Sequence, residues 1–219
     1  MAYFTPFIFL FLLSPLCMGA SIGVPEGMVE NIIKLEQNTV SGQFGVLANC
    51  IEAKSNIVFK WQIYPTRRLF TMVESNEIDI VYPMGMTQQR NEIATPSKPL
   101  YSSERFWVYM GKKPDFNDKT LSIAVKRGSS QEDSLNKLGY SNLTLVKYDA
   151  ILSMLDLKRV DAVLLPKEIL TDLVNASQHY QTQLLSKRDI VFYLSYNFAQ
   201  KNLAVINQAI DDCLPLKAD

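Results

Sequence analysis

Few side chains in this sequence can do covalent or metal chemistry. Among its 219 residues there is one histidine, His179, and there are three cysteines, Cys17, Cys50 and Cys213. That set cannot build a Cys/His zinc cluster at the usual ligand spacing, so neither a metal nor a cofactor is expected. Acyl transfer needs a base beside its nucleophile. His179 lies in the polar stretch 175–183, two residues from Ser177, which reads as a loop with no nucleophile elbow before it. No turnover is expected. What remains is binding chemistry. Arg90, at the end of a turn begun by Thr87, can fork two hydrogen bonds onto a carboxylate. The run Lys126-Arg127-Gly128-Ser129-Ser130 opens a helix, where free N–H groups and two hydroxyls form an anion site. Arg67 and Arg68 follow Tyr64-Pro65 at another helix start. If Arg68, Arg90 and Arg127 converge on one cleft, the ligand is anionic. Tyr64, Tyr82 and Trp107 could offer it ring faces. Each has a plainer reading beside it: a surface-loop arginine for Arg90, a helix N-cap for Ser129, a solvated helix start for Arg68, and core packing for the aromatics.

The elements that must position these residues alternate between strand and helix. Apolar residues make up 47% and charged residues 20%, which suits a packed core rather than disorder. Lys plus Arg and Asp plus Glu are 22 each, so a nucleic-acid partner, which needs a surplus of cations, is disfavoured. Residues 1–20 carry no charge, run apolar from Phe7 to Leu13, break at Pro15 and end in Gly19-Ala20. This layout is that of a secretory signal peptide cut after Gly19 or Ala20, which places the remainder in an oxidising compartment. A membrane anchor is the alternative, but the run is shorter than the ~20 residues a span needs. Lipidation of Cys17 is another, against which stands Leu16.

Strands are expected at Ser21–Pro25, Ile57–Ile63, Ile78–Met84, Arg105–Met110, Leu121–Val125, Leu143–Val146, Ala162–Leu165 and Ile190–Tyr196. Helices are expected at Gln43–Ala53, Thr66–Asn76 with Thr66 as N-cap, Ser129–Leu138, Ala150–Leu157 and Ala199–Leu214, with a further helix opening at Pro166. The alternation argues for α/β layers with mostly parallel strands. Two such clusters make two lobes. Arg105–Met110 and Ile190–Tyr196 are the natural crossings, and a cleft between lobes is a default ligand site.

The segment Asn76–Tyr101, NEIDIVYPMGMTQQRNEIATPSKPLY, resembles the family 3 extracellular solute-binding proteins through Asp79, Thr87, Arg90, Ser97, Pro99 and Tyr101. Gly128-Ser129-Ser130 resembles the family's Gly-Ser/Thr-Ser/Thr turn, and Met154-Leu155 with Arg159-Val160-Asp161-Ala162 resembles its Leu-x-x-Gly-Arg-x-Asp-Ala segment. The resemblance implies the type II periplasmic-binding fold, two α/β lobes joined by a two-strand hinge. It places lobe 1 at 21–106 with 195–219 and lobe 2 at 107–194. It also implies a periplasmic monomer that binds a small-molecule solute, with an ABC permease or a membrane sensor as partner; a vestigial fold without ligand is the third possibility. Ligand-binding roles carry over to Arg90, Thr87, Ser129 and Ser130, with Arg68, Tyr82 and Glu26 as further candidates. Two departures stand out. The family's ammonium-holding acid falls five residues after Asp161, where this chain has Pro166. Its aromatic stretch after the first strand is replaced by Pro25-Glu26-Gly27-Met28. An anionic or carboxylate-bearing solute is therefore expected rather than a standard α-amino acid. In the type II fold the last helix returns to lobe 1, which implies a Cys50–Cys213 disulfide.

Overall fold

The computed structural model describes residues 18–28, 30–37, 39–173 and 179–214. The apolar core of the expected signal, Cys17 and Ser177 lie outside these. The elements, in chain order, begin with strands β1 (Met18–Pro25), β2 (Lys34–Glu36) and β3 (Thr39–Ser41), helix α1 (Gln43–Ser55), β4 (Ile57–Tyr64), α2 (Thr66–Glu74), β5 (Ile80–Gly85), α3 (Gln88–Asn91) and β6 (Thr95–Pro96). There follow β7 (Tyr101–Met110), β8 (Ile123–Lys126), α4 (Ser130–Lys137), β9 (Asn142–Leu145), α5 (Tyr148–Asp156), β10 (Ala162–Pro166), α6 (Lys167–Leu173), β11 (Tyr180–Leu194) and α7 (Tyr196–Cys213).

One curled sheet carries the order β4-β1-β5-β11-β7-β10-β8-β9, with β6 also on β11 and β2-β3 forming a separate hairpin. The two ends of the order are two lobes. In lobe 1, β1 lies parallel to β4 and β5; in lobe 2, β8 lies parallel to β9 and β10. β7 and β11 run antiparallel to each other between the lobes, from Tyr180↔Met110 to Ile190↔Tyr101, and form the two-strand hinge. Parallel strands buried on both faces read as apolar runs, and successive residues serve opposite layers. Thus Phe192 and Leu194 of β11 join the layer of α1 and α7, while Val191 and Tyr193 join that of α2. Likewise Val163 and Leu165 of β10 face α5, while Ala162 and Leu164 face Leu135 of α4. Cys50 and Cys213 are bonded, with Cα atoms 6.0 Å apart, and fasten α7 to α1.

The structure corrects several expectations. β1 begins at Met18, not Ser21: Gly19 pairs with Val58 and buried Ala20 with Phe59, so both proposed cut positions lie inside a paired strand. Pro65 caps α2, and Thr66 is its first helical residue. Pro166 closes β10 opposite Arg105 rather than opening a helix. The largest difference is β11. Tyr180–Asp189, read as loop or left unassigned, is strand, because it pairs with β7 alone and its free edge tolerates polar side chains. His179 is an exposed turn residue just before it.

Candidate functional site

An interlobe cavity of about 70 Å³ lies against the hinge. Lobe 1 supplies Pro83 to Gly85 and Arg90, and lobe 2 supplies Lys126, Ser129, Ser130 and Tyr148. The hinge strands add Arg105 from β7 and Arg188 from β11. Glu168, at the start of α6, is the carboxylate on the wall.

Arg90 is 5% exposed and reaches across the cleft. Thr87 N-caps the short α3, accepting from the Arg90 N–H at 3.2 Å, and so fixes where the arginine starts. Its guanidinium donates to Gly85 O at 2.7 Å and to Gly128 O at 3.0 Å, lies 3.2 Å from the Asp133 carboxylate, and stacks over Phe70. Burial lowers the Arg90 pKa, and Asp133 opposes that. Three of these contacts tie lobe 1 to lobe 2 or to its own strand, so Arg90 acts here as an interlobe tie as well as a wall of the cavity.

Ser129 is the N-cap of α4 and accepts from Glu132 N at 3.2 Å. Glu132 in turn accepts from Gly128 N and pairs with Arg67 across the cleft at 2.8 Å. A carboxylate of the chain therefore already occupies part of the expected anion cradle. Ser130 lines the cavity opposite Gly85, where a Cβ would come within 2.5 Å of its Oγ. Glycine at 85 is what permits this approach.

Three cations on the wall form no ion pair with a carboxylate among the described residues: Arg105, Lys126 and Arg188. Arg105, 4% exposed, donates to Ser134 Oγ at 2.7 Å and to Ser186 Oγ, and its Nε has no partner. Arg188 donates from Nη1 to Met86 O, and its buried Nε likewise has no partner. Burial, then repulsion from Arg188, lowers the Arg105 pKa to about 10. Lys126, 3% exposed, donates to Thr66 Oγ1 at 3.2 Å and faces the Tyr148 ring. Burial lowers its pKa to about 8, with Glu26 acting in the opposite direction.

Of the residues named from sequence, Arg90, Ser129 and Ser130 meet on this cavity, with Thr87 behind Arg90. Glu26 lines a neighbouring groove with Lys126 and Arg127. Tyr82 is not on the wall: it is fully buried against Phe192, and its hydroxyl donates to Phe44 O. Arg68 lies at the surface over the Tyr64 ring, and Trp107 stacks on Phe116 in lobe 2. Asp79 and Asp161 each tie segments distant in the chain, Asp79 accepting from Ser21 of β1 and Asp161 from Ser122 just before β8. Sequence reasoning missed Arg105, Arg188 and the role of Lys126. For Lys126 the available signal was a lone cation ending the apolar strand IAVK; Arg105 follows Ser-Ser-Glu and Arg188 stands in Ser-Lys-Arg-Asp, which carry no such mark.

No family model matches the chain, and no curated protein matches it significantly. Solved structures do. The GluR0 ligand-binding core from Nostoc punctiforme in complex with L-glutamate superposes with a TM-score of 0.77 at 18% identity, over 90% of this chain and 94% of that one. The substrate-binding protein of an amino acid ABC transporter gives 0.74 at 17%, over 91% and 94%. The ancestral amino acid-binding protein AncCDT-1, a precursor of cyclohexadienyl dehydratase, gives 0.75 at 13%, over 89% and 88%. The chain thus has the type II periplasmic-binding fold, with a cation-rich cavity at its hinge. At these identities the likeness is one of fold.

Proposed function

We propose that this protein is a periplasmic solute-binding protein that captures a small, carboxylate-bearing anion between its lobes for delivery to an ABC importer. The single observation that carries the reading is the excess of buried cations around an interlobe cavity, since a buried charge without a partner is costly unless something else supplies the partner. Arg90 ties the lobes, Ser129 and Ser130 shape the second wall, and Thr87 positions Arg90. The lobes divide at about 106 and 195, with β1 from Met18 in the first, and the protein is exported by an N-terminal signal that ends before β1 and works as a monomer. Binding without conversion follows from the reading, because the cavity wall supplies charge and hydrogen-bond donors for holding a solute; His179 lies on an exposed turn.

A thermal-shift screen of the mature protein against amino acids, carboxylates, amines and small peptides tests it. A carboxylate is expected to raise the melting temperature, Arg90→Ala is expected to weaken the hit at least tenfold, and the ligand is expected to be recovered unchanged by NMR. If every hit survives Arg90→Ala unchanged, the assignment of the cleft is wrong. Amines as the only hits would contradict the anion reading.

A further inference from the structure

The cations on the cavity wall outnumber its carboxylates in a way that specifies the ligand's charge. Four face the cavity, Arg90, Arg105, Lys126 and Arg188, against Glu168. Asp133, behind the wall, pairs with Arg90. Glu168 accepts from Ser103 Oγ at 2.7 Å, and Glu26 approaches Lys126 from the outer groove. Arg105 and Arg188 come from adjacent hinge strands, with Arg105 paired to Ser186 and Arg188 to Ser103 in the register. Two like charges side by side, each with a buried Nε that has no partner, repel one another unless an anion lies between them. Lys126 stands on β8, where it donates to Thr66 Oγ1 from lobe 1, and is a separate point of positive charge on the wall.

We infer that the solute is a compact dianion, one acidic group held by Arg105 and Arg188 at the hinge and the other by Lys126. This rests on the solute-capture reading above and adds the ligand's charge and the residues that read it. Arginine suits the first position because its planar fork bonds two carboxylate oxygens together, and lysine suits the second as a point charge. The cavity's 70 Å³ admits on the order of five to seven water-sized groups, about the size of a three- or four-carbon dicarboxylate.

The test is calorimetric titration of the mature protein with malonate, succinate, propionate, L-aspartate, inorganic phosphate and an amine, in wild type and in Arg188→Gln, Arg105→Lys and Lys126→Met. Malonate or succinate is expected to bind at least tenfold tighter than propionate or L-aspartate. Arg188→Gln is expected to cost tenfold or more, and Arg105→Lys a similar factor, because it keeps the charge and loses the fork. Lys126→Met is expected to collapse the preference for two acidic groups over one. Melting without ligand separates function from scaffolding: relief of repulsion predicts that Arg188→Gln melts at or above the wild-type temperature. The inference is overturned if propionate or L-aspartate binds as tightly as the dicarboxylates, if phosphate alone binds, or if the arginine variants melt lower and bind as well as wild type. Binding of the amine alone, or of none of the probes, overturns the solute-capture reading with it.

Discussion

At the residue scale the cavity is an assembly of charges whose cost is set by burial. Lys126 shows this most directly. A lysine whose folded pKa lies below its unfolded value binds fewer protons folded than unfolded between the two pKa values, so stability rises with pH across that interval. For Lys126 the interval runs from about 8 to 10.5, and the gain is up to roughly 3 kcal/mol. Above pH 10 the buried phenols of Tyr82 and Tyr148 act in reverse: burial raises their pKa values, so their contribution is lost as the unfolded chain ionises. Denaturant unfolding of the ligand-free protein at steps from pH 7 to 10 is expected to show the rise, and Lys126→Met is expected to flatten it. Anion affinity is expected to follow the opposite course. Lys126, with Thr66, Tyr148 and the outer carboxylate of Glu26 around it, loses its charge above about pH 8, so a calorimetric titration with a carboxylate is expected to show weaker binding there.

At the scale of elements, the seam between the lobes depends on chain segments approaching without side chains. A Cβ on Gly27 would lie 2.3 Å from Val146 O, and one on Gly128 would lie 2.9 Å from Thr66 Cβ. Gly27 also has φ of +68°, a conformation that L side chains rarely adopt. Gly27→Ala is expected to hold the lobes apart, raising the ligand's dissociation constant severalfold and increasing the radius of gyration of the liganded protein in solution scattering. An unchanged radius and affinity would show that the seam tolerates displacement there.

Elements with a clear apolar period were legible in the sequence. The strands Ile57–Tyr64 and Ala162–Pro166 and the last helix, with Ile206, Ile210 and Cys213 on one face, fall where their periodicity puts them. Arg90 and Ser129 were legible because a turn and a helix start are local features. The first half of β11 was not, since its strand state comes from pairing with β7, whose residues lie seventy or more positions earlier in the chain. Arg105 and Arg188 were hidden for the same reason. A charged residue in a polar or aromatic stretch carries no local mark of burial, and only the long-range register brings the two together. Tyr82 shows the converse: its strand was read correctly, but which face it took was decided by packing against Phe192 of the neighbouring β11 and Phe44 of α1.

At the scale of the whole molecule, the chain crosses between lobes twice and returns to its starting lobe with α7, where the disulfide closes a loop of 163 residues in sequence. By the loop-entropy model such a closure stabilises the folded state by about 5 kcal/mol. Cys213→Ser with Cys50→Ser is expected to lower the unfolding free energy by an amount approaching that and to leave the cavity's affinity within about twofold, because neither cysteine lines it. Equal melting of the double variant and wild type would show that the bond does not form in the folded protein. Among the described residues no helix is long and apolar enough to cross a membrane.

The central claim is that a small anion is held in the hinge cavity between the lobes. Calorimetric titration of Gly85→Leu with the best carboxylate ligand tests it most directly. The added side chain starts from a Cβ only 2.5 Å from Ser130 Oγ and 3.1 Å from Arg188 Cδ, so it fills the cavity from the lobe 1 wall and displaces those two side chains without removing any cation from the chain. Wild type is expected to bind one ligand per chain, and a folded Gly85→Leu protein at least a hundredfold more weakly. Undiminished binding by that variant would place the ligand outside the hinge cavity.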